Sequence, residues 1–320
     1  MIRIKADCKH VLIAPLNWGL GHASRCIPVV YDLLRQGYWV VIAADGLSLE
    51  LLRQEFPELP FVVFPSFKIR YGAGKSQVWA MVRSLPKIVY GIVKENRLLQ
   101  RIIRRESIDF VISDNRFGLW TRQVPCAYIT HQLMIKMPRG LKFLEPLAWR
   151  LHRFVINRYA ECWIPDVEGA PNLSGDLAHK YPLPPNVRFI GALSRFSTTK
   201  DIIPVKTYHT LVLISGVEPH RSLFEKEQIE KLKGSEKSVL IVQGLPGKEP
   251  KAIEIENITI ISHLDSEELK AQLLAAEEIV CRSGYSTLMD LHALGRKATL
   301  VATPGQTEQE YLAELHKNGD

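Results

Sequence analysis

Short apolar, β-branched runs alternate along the chain with longer stretches of helical periodicity. Runs at 10–15, 39–44, 61–64, 110–113, 127–130 and 187–190 predict strands in the first part of the sequence. Runs at 210–214, 239–243, 258–261, 279–281 and 298–302 predict more in the second. Helical patterns at 24–36, 47–55, 221–233, 266–276 and 285–294 lie between them. Parallel strands need a crossover, so this alternation predicts an α/β architecture of parallel sheets with helices on both faces. Between 78 and 105, Val82, Leu85, Val89, Ile92, Leu99 and Ile103 recur at helical spacing. Arg83, Lys87, Lys94, Arg97, Arg101, Arg104 and Arg105 fall on the opposite face, and Pro86 predicts a kink or a restart.

Residues 194–207 are polar and aperiodic, which marks a linker. The expected organisation is an N-terminal domain at 1–193 and a C-terminal domain at 208–320. Both would be doubly wound, Rossmann-like and opposed across a cleft, with ligands beyond the carboxyl ends of the strands.

Composition narrows the function classes. The five cysteines among 320 residues are scattered with no CxxC pair, so reduced thiols are expected instead of disulfides or zinc. Neither a signal-peptide pattern nor a membrane-span-length apolar stretch appears, so a cytoplasmic location is expected. Charge is divided unevenly. Residues 1–190 hold 26 Lys and Arg against 15 Asp and Glu, net +11, and the remainder is net −4 with 15 against 19. The basic first half predicts an anionic partner. The segment 134–158 adds Lys136, Arg139, Lys142, Arg150, Arg153 and Arg158 to Met, Phe, Leu and Trp149, with Arg122 before them and Glu145 the one acid. A solvated helix face explains such charge. Peripheral contact with an anionic membrane surface also explains it, each basic residue near lipid adding about 1 kcal/mol. Without a helix-turn-helix, RNA-binding or zinc pattern, nucleic acid is not an expected partner.

Three strand–loop–helix junctions carry the candidate chemistry. In Trp18-Gly19-Leu20-Gly21-His22 the glycines permit a tight turn, and His22 stands near a helix start as a candidate general base. In Ser215-Gly216-Val217-Glu218-Pro219-His220-Arg221, Ser215 and Gly216 offer donors to a phosphate and Arg221 offers charge. In Arg282-Ser283-Gly284 a loop opens a helix whose first amides suit a diphosphate, and Asp290, just under two turns on, suits a ribose. Glu308 and Gln309 follow the next strand as candidate ligands for sugar hydroxyls. In the first half, Asp114 and Asn115 follow one strand and His131 the next, which makes them candidates to assist the base or hold an acceptor. Each pattern also has a plain structural explanation: a capped helix, a βα turn with a surface arginine, or a solvated aspartate.

At the third junction the chain resembles the inverting glycosyltransferases of the two-Rossmann-domain (GT-B) type, in particular glycosyltransferase family 28, which includes the peptidoglycan N-acetylglucosaminyltransferase. The run Ser283-Gly284 through Thr287 to Asp290 is similar to the family's signature, although Thr287 stands one place early and Asp290 replaces a glutamate. The resemblance implies roles. Asp290 would hold the ribose, Arg282, Ser283, Gly284, Ser215 and Gly216 the diphosphate, and Glu308 and Gln309 the donor sugar. Gly19, Gly21 and His22 would form the acceptor-side loop, with His22 as base. It also implies a UDP-sugar donor and a glycan or lipid-linked acceptor, and a further bracing helix past the end of this sequence. No Asp-x-Asp metal clamp is present, so neither metal nor cofactor is expected. A nucleotide-sugar 2-epimerase and a non-catalytic nucleotide-sugar-binding subunit are the alternatives.

Overall fold

The computed structural model describes residues 2, 4, 8–66, 77–204, 206–248 and 252–317, with backbone alone for 77–85 and 139. Arg83, Val82 and Leu85 therefore lie outside the described side chains. In chain order, the first part comprises β1 (His10–Pro15), α1 (Gly21–Arg35), β2 (Trp39–Ala44), α2 (Gly46–Glu55), β3 (Phe61–Val63) and α3 (Gln77–Arg105). It continues through β4 (Phe110–Asp114), β5 (Cys126–Ile129), α4 (Glu145–Ile156), β6 (Glu161–Ile164), α5 (Asp176–His179) and β7 (Val187–Phe189). These strands form one parallel sheet in the order β3-β2-β1-β4-β5-β6-β7. Four of the six side chains of β1 are fully buried because helices cover both faces, so its sequence is a continuous apolar run.

The second sheet has the order β10-β11-β9-β8-β12-β13. Its strands are β8 (Thr210–Leu213), β9 (Val239–Val242), β10 (Ile253–Ile255), β11 (Ile258–Ile261), β12 (Glu278–Arg282) and β13 (Thr299–Val301). The helices here are α6 (His220–Leu232), α7 (Ser266–Ala275), α8 (Tyr285–Ala293) and α9 (Thr307–Leu315). The α7 start is set by Asp265, whose carboxylate accepts from the Glu268 amide at 2.8 Å while Glu268 accepts in return from the Asp265 amide. All pairings are parallel except β10 with β11. That hairpin was not expected: Ile253 and Ile255 are exposed, so the β10 segment lacks the apolar run that marks the buried strands.

In each sheet the strand order reverses beside the first strand, between β1 and β4 and between β8 and β12. A crevice opens at such a point. Pro15 pairs with Asp114 at the first crevice and Leu213 with Cys281 at the second, so both crevices sit where the sequence placed its loops.

The lobes meet through α1. Ala23, Cys26, Ile27 and Val30 share one apolar cluster with Tyr285, Leu288, Met289 and Leu312 of the second lobe. Helix α1 is thus buried on both sides, by its own sheet and by α8. Helix α9 also braces the first lobe: Thr307 Oγ1 donates to the Lys136 carbonyl at 2.7 Å, and the Asp176 amide donates to Tyr311 Oη at 2.7 Å.

Two local expectations change. Helix α3 runs unbroken through Pro86, and Val89, placed on its core face by periodicity, is 59% exposed. The polar segment after β7 begins as packed chain, since Ser194 and Phe196 are buried. Among the described residues no helix is long and apolar enough to cross a membrane. Among the described residues no cysteine is in a disulfide.

Candidate active site

The first crevice gathers His22, Arg25 and Asp114. Asp114 ends β4 and is fully buried, while His22 and Arg25, three residues apart, project from one side of α1. His22 Nδ1 lies 2.6 Å from Asp114 Oδ1. Arg25 Nη2 also lies 2.9 Å from Nδ1, but the carboxylate is the nearer group, and a proton on Nδ1 satisfies it and leaves the Nε2 lone pair free. Among the described residues no protein group bonds Nε2. Arg25 grips the same carboxylate through Nε and Nη2, both at 2.5 Å. The twofold grip of a guanidinium on a carboxylate is strong and directional.

The electrostatics follow from this packing. Burial is the largest influence on Asp114 and favours its neutral form, but Arg25 and His22 outweigh it and hold the carboxyl at about 2. His22 is lowered from the ordinary histidine value, first by burial and then by the Arg25 charge, against an upward pull from Asp114. At neutral pH the site therefore holds an anionic Asp114 and a neutral imidazole aimed by it.

Arg25 carries the network across to the other lobe. Its Nη1 donates to His131 Nδ1 at 3.0 Å, which leaves the His131 proton on Nε2, and Nε2 donates to Glu308 Oε1 at 2.8 Å. The His131 ring stacks on Tyr285 with centroids 4.1 Å apart and planes 6° from parallel. Glu308 stays below the ordinary glutamate value: burial pulls it up, but the His131 ring that hydrogen-bonds it and the Arg25 guanidinium outweigh burial. A continuous polar chain thus links Glu308 at the α9 start to His22 at the α1 start.

The loops expected to meet a phosphate face each other. Gly19 adopts φ +79°, and a Cβ on it would come 3.7 Å from Gly216 Cα, so the two loops oppose each other across the crevice. Gly216 adopts φ +102° with open space where a side chain would project. Gly21 touches the α8 start: its carbonyl accepts from Ser286 Oγ at 2.7 Å, and a Cβ would press on that hydroxyl at 3.0 Å. Ser215 precedes Gly216, and Gly284 immediately precedes α8.

Several predicted ligands are engaged elsewhere. Arg282 turns away from the α8 start; it donates to the Ala302 carbonyl at 2.9 Å and stacks on Phe224 at 4.0 Å. Burial lowers its pKa, and the Glu227 carboxylate pulls it the other way. Arg221 is held by Glu218 at 2.8 Å and Glu225 at 3.2 Å. The Ser283 hydroxyl donates to the Gln309 carbonyl at 2.7 Å, and the Gln309 side chain accepts from the Thr303 amide at 2.9 Å. Both polar groups therefore brace the loops that carry them. Asp290 faces the connecting segment, accepting from Ser194 Oγ at 2.6 Å with Arg195 Nε at 3.8 Å. Asn115 takes φ +55° and accepts from Tyr128 Oη at 2.8 Å, away from the Asp114 carboxylate. Arg116 is a core ion pair with Glu95 at 2.9 Å.

Arg25, Tyr285 and Ser194 were not singled out from the sequence. Arg25 alone had a visible signal, one helical turn after His22. Tyr285 and Ser194 act through partners about 100 residues or more away.

No family model matches the chain. A protein of Methanosarcina acetivorans named an uncharacterized glycosyltransferase is 22% identical over 95% of this chain and 82% of its own length. Among solved structures, a Streptomyces glycosyltransferase complexed with thymidine diphosphate superposes with TM-score 0.58 at 13% identity, covering 96% of this chain and 86% of the other. The fold is GT-B. It is shared by a protein from Listeria monocytogenes named as a UDP-N-acetylglucosamine 2-epimerase, with TM-score 0.57 at 14% identity over 98% of this chain and 89% of the other. The GT-B frame therefore leaves the reaction to be decided by the site.

Proposed function

We propose that this GT-B chain is an inverting glycosyltransferase that moves a sugar from a nucleoside diphosphate onto an acceptor hydroxyl. The supporting observation is the neutral His22, aimed by the buried Asp114, with Nε2 open at the crevice. In the reaction, His22 Nε2 removes the acceptor proton as that oxygen attacks the anomeric carbon. The bond from that carbon to the diphosphate oxygen breaks, and the nucleoside diphosphate leaves. One displacement inverts the configuration. Asp114 stabilises the imidazolium that forms, and Arg25 keeps Asp114 anionic.

The diphosphate is held by backbone amides at the Ser215-Gly216 loop and the α8 start after Gly284, where helix-end dipoles oppose its charge. Glu308 holds the donor sugar through the carboxylate oxygen that His131 does not use. Asp290 grips the ribose by exchanging its bond to Ser194 for one to the pentose. The family 28 resemblance favours UDP as the nucleotide and a glycan or lipid-linked acceptor.

Purified protein incubated with UDP-, dTDP- and GDP-sugars plus an envelope acceptor extract should release nucleoside diphosphate only when acceptor is present. His22→Ala should abolish that release. The epimerase reading, kept because that enzyme shares the fold, requires release or isomerisation with donor alone. Such a result would overturn the transferase proposal.

A further inference from the structure

Helix α4 is apolar on two opposite sides. His152 and Ile156 face inward, and Ile156 joins the apolar cluster beneath the first sheet. On the far side, Leu147, Leu151 and Phe154 follow at helical spacing and are 53%, 62% and 61% exposed, and Phe143 in the turn before the helix is 73% exposed. An amphipathic stripe normally packs on something, yet this one has no partner among the described residues.

The surrounding charge is of one sign. Lys142, Arg150 and Arg158 are exposed, whereas the acid of this helix, Glu145, is buried and bonded to Lys180 at 2.7 Å. The Arg158 guanidinium lies 4.6 Å from the Phe154 ring, which puts a cation at the rim of the stripe. Helix α3 packs on the same face of the sheet through Leu99, Ile102 and Ile103, and it exposes Val89, Tyr90 and Val93 beside Lys87 and Lys94. Its one acid between 87 and 105, Glu95, is the buried partner of Arg116.

We infer that the outer face of α4, with the adjoining face of α3, docks on an anionic lipid surface. Apolar side chains enter the headgroup boundary while flanking cations meet lipid phosphates, the arrangement by which an amphipathic helix lies in a membrane plane. A second copy of the chain fits less well, because a twofold contact would set these cations against one another. The stripe begins one loop beyond His131, so a docked molecule would present its crevice near the membrane. This deepens the glycosyltransferase reading by placing the acceptor at a lipid interface; lipid binding itself stands independently of that reading.

The test is co-sedimentation of the full chain with vesicles. Binding to phosphatidylcholine vesicles containing about a third phosphatidylglycerol should exceed binding to pure phosphatidylcholine by at least about tenfold, and high salt should weaken it. Replacing Phe143, Leu147, Leu151 and Phe154 together by serine should lower binding by a similar factor. The thermal melt should be retained, since all four side chains are exposed. Nucleoside diphosphate release with a water-soluble acceptor should be unchanged in that variant, which separates a failure of this inference from a failure of the catalytic reading. Equal binding to both vesicle types, or binding unaffected by the serine variant, would overturn it. So would a lipid-free dimer, seen by sedimentation velocity, that the serine variant abolishes.

Discussion

The two crevices are built in the same way, by a strand-order reversal with a helix starting on each side, yet their side chains behave differently. In the first lobe, His22, Arg25 and Asp114 bond to one another at the mouth and leave one nitrogen exposed for chemistry. In the second, Arg221, Arg282, Ser283 and Gln309 spend their polar groups inside the lobe, so the phosphate-type loops offer backbone, while Glu308 reaches across to His131. Acid–base chemistry needs a titratable side chain, whereas a diphosphate can be held by amides and helix dipoles. The acid–base side chains are thus concentrated on one wall, and the phosphate-type loops of the other offer main chain.

Breaking the first wall should have the largest effect. With transfer measured by nucleoside diphosphate release, His22→Ala should lose about 10²–10⁴-fold in kcat, the usual contribution of a general base. Asp114→Asn should fall in the same range, since the carboxylate sets the tautomer. A loss below threefold for His22→Ala would dismiss the base.

Next comes Arg25→Met, which leaves Asp114 buried without its cation. Removing one partner of a buried pair costs about 3–5 kcal/mol, so chemical denaturation should show a loss of that size. An effect near zero would mean that Arg25 is not what holds Asp114 ionised.

The smallest effect sharpens the second wall. Burial raises Asp290 to about 6, against the opposing pulls of Arg195 and Ser194. A folded value above the unfolded one favours the fold below pH 4, and that benefit is lost as pH rises through 6. Asp290→Asn should therefore increase the free energy of unfolding at pH 7.5 by up to about 3 kcal/mol and change little at pH 4. If Asp290 also grips a ribose, the same variant should bind UDP more weakly in a thermal-shift titration. Greater stability with unchanged UDP affinity would make Asp290 a purely structural group.

The fold was legible because its signals are local. The apolar runs of β1, β2 and β11 coincide with the observed strands, and the glycine loops fall where strands hand over to helices. Local signals also misled. Pro86 reads as a break, yet α3 continues through it, and β10 has no apolar run to announce its hairpin. Within the site, residue type and spacing singled out His22, Asp114, His131 and Glu308, but not their connection. Arg25 joins Asp114 and His131 across separations of 89 and 106 residues, and His131 meets Glu308 across 177. Spacing in one sequence carries no trace of such contacts. Arg282 shows the reverse: an arginine beside a phosphate-type loop looks like a ligand until its carbonyl partners are seen.

The central claim is that His22 is a neutral imidazole with its proton on Nδ1, held there by Asp114. Nitrogen-15 NMR of the ¹⁵N-histidine-labelled protein, with His22→Ala to assign the signal, measures the tautomer and the titration midpoint together. The account predicts a protonated Nδ1, a bare Nε2 at pH 7 and a midpoint below the ordinary histidine value. A proton on Nε2 at pH 7, or a midpoint at or above the ordinary value, would contradict it.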